Sequence, residues 1–136
     1  MKIIKIASVF GILICLGSVS LMAQSVRVGG SSLRANGQVV QGFHYTGSCP
    51  VSLKFAWGLI STGPTEVTYR FDRNDGGQAR TQSVFIPRAN QSVPVYYDWQ
   101  LGANTRQFAD YHGWVNIIIN SPNPVQQKIG FTIQCQ

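Results

Sequence analysis

The sequence predicts an all-β fold of short antiparallel strands closed by one disulfide bond. Apolar and polar residues alternate with a period of two in several short runs, which is the pattern of strands with one buried face. Turn-forming residues separate the runs, and no stretch between them has the length and period of a crossover helix. Cys49 and Cys135 stand at the two ends of this pattern. Together these observations favour an antiparallel β-structure over a helical or mixed one.

Residues 1–23 predict a secretory signal peptide. Two lysines precede an apolar run over residues 6–16, and small or apolar residues follow up to Gln24. The run is shorter than the roughly 20 residues that a membrane-spanning helix needs. We therefore expect cleavage after Ala23, no membrane span in the mature chain, and secretion to the periplasm or the extracellular space. An uncleaved membrane anchor is the alternative.

The charge restricts the class of partner. The chain has 11 lysines and arginines against 5 acidic residues, a formal net charge of +6, of which Lys2 and Lys5 in the signal peptide account for two. The other basic residues are scattered singly, whereas nucleic-acid surfaces concentrate them in a patch. We therefore expect no nucleic-acid partner. An anionic glycan, a cell wall or a membrane surface is compatible with the charge, and so is solubility alone.

The cysteines predict one disulfide bond. Cys15 leaves with the signal peptide, and export carries Cys49 and Cys135 into an oxidising compartment where thiols pair. Two free thiols or a metal site are the alternatives. Beyond His44, no further Cys or His lies near either cysteine at ligand spacing, which disfavours a metal. The sequence thus predicts a Cys49–Cys135 disulfide, no metal and no cofactor.

Residues 24–42 are polar and glycine-rich and show no sustained period. We interpret them as a flexible N-terminal arm with short strands over residues 26–28 and 38–41. The folded domain is then expected to cover residues 43–136. Such an arm would tether the domain or add an edge strand to a sheet.

The domain begins with a run of strands after Cys49. Alternate residues from Cys49 to Leu59 are apolar, which predicts the first strand. A second strand follows over residues 67–71, and Asn-Asp-Gly-Gly at residues 74–77 predicts a hairpin turn. A third strand is expected over residues 79–86.

The C-terminal part continues the pattern. Residues 93–100 alternate, and Pro94 indicates an edge strand or a bulge because proline has no backbone N–H. Residues 113–120 are almost continuously apolar, which predicts a central strand. The last strand carries apolar residues of one parity from Ile129 to Cys135. Because Cys49 also has the apolar parity of its strand, we expect both sulfur atoms to face the core.

Six or seven short strands with turns between them predict an antiparallel immunoglobulin-like β-sandwich of about seven strands with one disulfide. A small β-barrel is the alternative. Unlike the bridge of an antibody domain, the predicted disulfide joins the start of an early strand to the end of the last one.

Four segments resemble a group of bacterial secreted Ig-like domains: YTGSCPVSLKF, GPTEVTYRFDRNDGG, the Tyr97-Asp98-Trp99 segment and GWVNIIINSPNPVQQKIGFTIQC. In that group a Cys-Pro opens a strand, and V-T-Y-R-F, an Asp-Gly hairpin, Gly-Trp, Ser-Pro-Asn and a final Cys follow. The resemblance covers about residues 45–135. The departures, at residues 56–58, around the Asp-Gly turn and at residues 126–127, concern turns and surface. The resemblance implies the same fold and no catalytic or binding residues, since the group is largely uncharacterised and non-enzymatic.

The sequence predicts no enzymatic activity. A Ser-His-Asp arrangement would have to use His44 or His112, but no G-x-S-x-G elbow or other ordered signature accompanies them. No acidic pair stands out as a glycosidase pair, which needs one acid in an apolar pocket. The sequence DRNDGG at residues 72–77 resembles the start of a calcium loop, but the later glutamate that such a loop needs is missing. We interpret it as a turn.

Aromatic residues are concentrated in residues 96–114, YYDWQLGANTRQFADYHGW. Aromatic rings on loops stack on sugars or anchor protein partners. The alternative is that Tyr97, Trp99 and Trp114 fill the core. The candidate binding loop consists of Tyr96, Arg106, Phe108, Tyr111 and His112.

These observations predict a non-catalytic, exported Ig-like module for cell-envelope or extracellular interaction or adhesion. The partner is an unknown protein or glycan of the cell envelope, and the oligomeric state stays open. Two alternatives are a pilin-like structural subunit that uses its N-terminal arm and a secreted enzyme inhibitor or hydrolase.

Overall fold

The structure, a computed structural model, describes residues 24–102 and 110–136. The predicted signal peptide, residues 1–23, lies outside the described residues. The described residues form nine strands and one short 3-10 turn at Gln41–Phe43, which confirms the all-β class. The strands are β1 (Val26–Ala35), β2 (Gln38–Val39), β3 (His44–Gly47), β4 (Val51–Ser61), β5 (Thr65–Arg73), β6 (Gln82–Ile86), β7 (Val93–Leu101), β8 (Tyr111–Ser121) and β9 (Val125–Cys135).

The strands form two sheets. One has four strands in the order β2-β1-β4-β7, and the other has five in the order β3-β9-β8-β5-β6. All neighbours are antiparallel except β3, which runs parallel to β9. The expectation of about seven, all antiparallel strands is therefore corrected to nine strands and one mixed sheet among the described residues. The physical reason is the 3-10 turn, where Gly42 has a φ of 62° and the chain passes from the first sheet to the second.

The two sheets bury their inner faces against each other through aromatic side chains. The rings of Phe55 and Phe131 lie 5.2 Å apart, and those of Trp57 and Phe71 are also 5.2 Å apart. Trp99 of β7 reaches the ring of Phe131 across the same interface. The predicted inward parity of β4 is confirmed, because its alternate residues from Val51 to Leu59 are fully or almost fully buried.

The N-terminal segment is an integral strand, which corrects the expectation of a flexible arm. β1 pairs with β4 over nearly its whole length, from Val26 opposite Ser61 to Ala35 opposite Leu53. Its inward residues Val26, Leu33 and Ala35 are buried. A β-bulge between Val28 and Gly30 inserts one extra residue and changes the parity of the residues that face the core. The bulge is the reason that residues 24–42 show no sustained period.

The start of β1 is held by the turn between β8 and β9. The Asn123 side chain accepts a hydrogen bond from the Val26 amide at 2.7 Å and donates one to the Val26 carbonyl at 3.1 Å. Next to it, the Thr62 hydroxyl donates to the Gln24 side chain at 2.9 Å. These contacts fix the beginning of the described chain to the folded domain.

The remaining strands agree closely with the sequence. β7 pairs only with β4 and lies at the edge of its sheet, as Pro94 predicts. β8 lies between β9 and β5 and is central. The third strand was predicted over residues 79–86. In the structure β6 is shorter and covers Gln82–Ile86.

The predicted disulfide between Cys49 and Cys135 is present, with the two Cα atoms 5.5 Å apart. Cys49 lies two residues before the start of β4, and Cys135 is the last residue of β9. The bond therefore connects the two sheets at one end. Both cysteines are only partly buried and pack against the edge of the core, whereas the sequence predicted sulfur atoms inside it.

Candidate functional site

The outer face of the four-stranded sheet is concave. Side chains of β1, β4 and β7 that point away from the core line a depression of about 1120 Å³, which we call the outer groove. Its lining includes Gly30, Ser32, Arg34, Ser52, Lys54, Ala56, Gly58, Ile60, Ser92, Pro94, Tyr96, Asp98 and Gln100.

The register of the three strands orders these residues into rows across the sheet. Arg34 lies opposite Lys54, and Lys54 lies opposite Asp98. The next row holds Ser32, Ala56 and Tyr96, and the following row holds Gly30, Gly58 and Pro94. The middle strand contributes only a methyl group and a glycine to these two rows, and the Ser92 hydroxyl lies over the glycine, 2.5 Å from the place of a Cβ at Gly58. A side chain added at Gly30 would meet no atom within 4 Å, which shows open space above this position.

Tyr96 is the aromatic residue of the outer groove. It is 52% exposed, and the Lys54 ammonium lies 5.1 Å from the centre of its ring. Lys54 also lies 3.9 Å from the Asp98 carboxylate, but both side chains are at least half exposed, so this ion pair is weak. The ring of Tyr96 is therefore available at the surface, with a cation at its side.

Three residues of the candidate binding loop lie in the described part of the chain, and the structure does not bring these three together. Tyr96 lies on the outer face of the four-stranded sheet, whereas His112 is exposed on the outer face of the five-stranded sheet. Tyr111 points inward, with its ring 6.1 Å from that of Phe131 and its hydroxyl bonded to the Asn74 side chain. The other two residues of the loop, Arg106 and Phe108, lie outside the described residues.

Two of the three aromatic residues that the alternative interpretation placed in the core are there. Trp99 is buried, and Tyr97 packs against Phe71 with 5.1 Å between ring centres. Trp114, in contrast, lies on the outer face of the five-stranded sheet, with the Lys128 ammonium 4.2 Å from its ring. The aromatic concentration in the sequence thus divides between the core and two opposite surfaces.

The histidines do not form a catalytic arrangement in the described part of the chain. His44 contacts the hydroxyls of Thr132 and Thr46 through its two ring nitrogens. His112 lies 3.4 Å from the Asp110 carboxylate, and both side chains are mostly exposed. Within residues 24–102 and 110–136, no three His, Cys, Asp or Glu side chains are grouped as metal ligands.

The Asp-Gly sequence forms the predicted turn between β5 and β6. The Asp75 carboxylate accepts hydrogen bonds from the Gly77 amide and from Arg73 Nε, each at 2.9 Å. The Arg73 guanidinium in turn stacks over the ring of Trp99 at 4.4 Å. Burial alone would raise the pKa of Asp75, but the Gly77 amide and the charge and hydrogen bond of Arg73 hold it below its usual value. The carboxylate therefore stabilises the turn in its charged form.

Asp75→Asn is expected to lower the free energy of unfolding at neutral pH by less than about 1 kcal/mol, because the carboxylate is partly exposed. Since the pKa of Asp75 is lower in the folded state, its contribution is complete above the unfolded pKa of about 3.9 and disappears as the pH falls through the folded-state value. Urea unfolding at neutral and at strongly acidic pH measures the difference between the two proteins. Asp98→Asn, beside Lys54, is the matched control and should change stability less at neutral pH. A difference for Asp75→Asn that grows toward acid pH would contradict this role.

No model of a known protein family matches this chain, and no curated protein matches it either. We therefore infer its function from the geometry and chemistry of the outer groove.

Some of the residues that line the outer groove could be recognised from the sequence as outward-facing. The outward parity of β4, which holds Lys54, Ala56 and Gly58, is visible in the alternation after Cys49. The contribution of β1, which includes Ser32 and Arg34, is hidden by the bulge. The pairing of these two strands with β7 depends on contacts between distant parts of the chain, so the groove itself was not predicted.

Proposed function

We propose that this chain is an exported, non-catalytic interaction or adhesion module that binds a cell-envelope or extracellular ligand through the outer groove. The observation that carries the proposal is Tyr96, a large aromatic side chain that is 52% exposed beside an open depression of about 1120 Å³. A single exposed ring is not unusual by itself, but beside a groove a tyrosine provides much contact area at little cost in conformational entropy when it binds a ligand.

The proposed fold is immunoglobulin-like. An immunoglobulin constant-type domain has seven strands, A to G in chain order. Strands A, B, E and D form one sheet, and strands C, F and G form the other. Here β4 pairs with β7 in one sheet, while β9, β8 and β5 are neighbours in the other, with β6 as an added edge strand. In this comparison β1, β4 and β7 correspond to strands A, B and E, and β5, β8 and β9 correspond to strands C, F and G. The disulfide differs from that of antibody domains, since it connects the ends of β4 and β9.

Export is supported by two features. The Cys49–Cys135 disulfide is consistent with an oxidising compartment. The predicted signal peptide supplies a route to it, although residues 1–23 lie outside the described part of the structure. Among the described residues, no helix has the length and apolarity to cross a membrane.

A binding role is favoured over the two alternatives by particular contacts. The pilin-like subunit requires a free N-terminal arm, but β1 is paired with β4 along its length and held by Asn123. A hydrolase requires an ordered catalytic group, but the described histidines contact threonine hydroxyls and an exposed aspartate. An open groove with an aromatic residue at its margin suits the recognition of an extended ligand.

Tyr96→Ala is expected to weaken binding to the ligand at least tenfold, in the range of an aromatic anchor. The full chain, with its disulfide intact, is applied to an array of purified polysaccharides, peptidoglycan fragments and extracellular proteins, and the affinity of each positive is then measured. Phe85→Ala is the matched control, since Phe85 is 60% exposed on β6 of the other sheet and should be dispensable. The proposal is wrong if nothing on the array is bound, or if binding depends on Phe85 and not on Tyr96.

A further inference from the structure

We infer that the outer groove takes an extended oligosaccharide with a largely uncharged backbone, and that it holds one uronic acid carboxylate at the row of Arg34 and Lys54. This inference rests on the proposed function and specifies its ligand. It follows from the shape of the groove, from the position of its charges and from the chemistry of the remaining rows.

The shape of the outer groove suits an extended ligand. Its lining extends along β4 from Ser52 to Ile60, which is about 26 Å at ~3.3 Å per residue, and three strands give it a width of about 10 Å. The volume of about 1120 Å³ is slightly above the range of roughly 300 to 1,000 Å³ that is usual for compact small molecules. A straight, open depression of this length matches several linked sugar units better than one small molecule.

The charges of the outer groove are concentrated in one row. Arg34 and Lys54 are directly opposite each other in the register, and like charges in that position oppose folding. Asp98 offsets Lys54 only weakly across 3.9 Å of exposed surface. The contact of the Arg34 guanidinium is a long hydrogen bond of 3.4 Å to the Gly37 carbonyl. An incoming carboxylate would relieve the repulsion, and arginine binds carboxylates with two parallel hydrogen bonds.

The other rows of the groove carry no charge except the last one, where Arg27 lies opposite Ile60. They present the hydroxyls of Ser52, Ser32 and Ser92, the amide of Gln100 and the ring of Tyr96. Hydroxyl and amide groups pair with sugar hydroxyls, and an aromatic ring packs on the apolar face of a sugar. A ligand with a charge on every unit would meet cations only at the row of Arg34 and Lys54 and at Arg27, which lies opposite a β4 position six residues further along. The arrangement therefore favours a sparsely charged glycan over a densely sulfated polymer or a nucleic acid, which needs many cationic contacts.

A protein partner is less suited to this surface. Protein interfaces depend on a few large anchors that fill desolvated pockets. The centre of the outer groove consists instead of Gly30, Ala56 and Gly58, which offer little apolar area. Large apolar or aromatic side chains stand at its margins, as Tyr96 and Ile60 do. The small residues at the centre of the groove thus leave room for a flat, polar chain.

The test uses three probes and the full, oxidised chain in calorimetric titrations. The first probe is xylohexaose with one glucuronic acid branch, the second is the same molecule with its carboxyl group reduced to the alcohol, and the third is hexagalacturonate. We expect the first to bind about tenfold more tightly than the second, and the third to bind no more tightly than the first.

Arg34→Gln should weaken binding of the first probe about tenfold and leave the affinity for the second unchanged, because only the first carries the carboxylate. Arg80→Gln, which removes an exposed arginine outside the groove, is the matched control and should change neither affinity. Thermal unfolding of each variant checks that the fold is retained. A loss that is equal for both probes would overturn the assignment of the carboxylate to Arg34.

The outcomes separate this inference from the proposed function. If both xylan probes bind equally, or if neither binds, while another ligand on the array depends on Tyr96, the sparsely charged glycan is wrong and the binding module stands. If hexagalacturonate binds more tightly than the branched probe, the ligand is densely charged and the inference is overturned. If Tyr96→Ala changes the binding of no ligand at all, both the inference and the proposed function fail.

Discussion

Loss of the Cys49–Cys135 disulfide is expected to destabilise the domain by about 4 to 5 kcal/mol. The bond closes a sequence separation of 86 residues, and the entropy that it removes from the unfolded chain grows with the length of this loop. Since domains of this size are stable by about 5 to 15 kcal/mol, the loss removes a large part of the total. Urea unfolding of the oxidised and the reduced protein measures it directly.

The double variant Cys49→Ser, Cys135→Ser is the control for this prediction. It should have the stability of the reduced wild-type protein, because both lack the same cross-link. The single variant Cys49→Ser leaves Cys135 unpaired, and we expect it to form disulfide-linked dimers that disappear on reduction. Equal stability of the oxidised and reduced wild-type protein would contradict the role of the bond in connecting the two sheets.

Phe71→Ala is expected to lower the free energy of unfolding by about 3 to 5 kcal/mol, the usual cost of removing a fully buried ring and leaving a cavity. Phe71 is 1% exposed on β5, and its ring lies 5.2 Å from that of Trp57 and 5.1 Å from that of Tyr97 on the opposite sheet. The same measurement on Phe85→Ala gives the matched control. Phe85 is 60% exposed, so its replacement should change stability by no more than about 0.5 kcal/mol. Similar losses for both variants would show that the inner faces do not pack as described.

The strands that the sequence identified are those that bury one continuous face. The alternation from Val51 to Leu59 and the apolar run of β8 need no knowledge of their neighbours, because burial imposes the pattern on each strand separately. The partnership of Cys49 with Cys135 could also be predicted, since these are the only two cysteines outside the predicted signal peptide. These elements define the core of the domain.

The strands that the sequence missed depend on local irregularities. In β1 the bulge after Val28 changes the parity of the inward residues, so that Val28 and Leu33 do not share a period. β3 has only four residues, and its direction follows from the positive φ of Gly42 before it. No periodicity extends across either feature, so only the first residues of β1 were predicted as a strand, within an arm over residues 24–42, and β3 was not predicted.

The candidate site was only partly predictable. Tyr96 was identified because aromatic residues are concentrated around it, but its neighbours in the sequence point to the core or to the other sheet. Its neighbours in space come from β1 and β4, which precede it by tens of residues. Such a surface depends on the register between strands. The register between distant segments cannot be predicted from the local sequence pattern of either strand.

The bulge at Gly29 takes up one residue of β1, so that Val28 and Leu33 both face the core although their positions differ in parity. Removing this one residue would leave Val28 opposite Leu59 and Gly30 opposite Gly58 in a continuous ladder, so Leu33 would still face the core and Arg34 would still face outward. A substitution at the same position would act differently, because a side chain there would collide with Ile60, whose Cδ1 lies 2.4 Å from the place of the added Cβ. Among related chains, loss of this residue is thus expected to leave the Arg34–Lys54 row in place, whereas a larger residue in the bulge has to displace the Ile60 side chain.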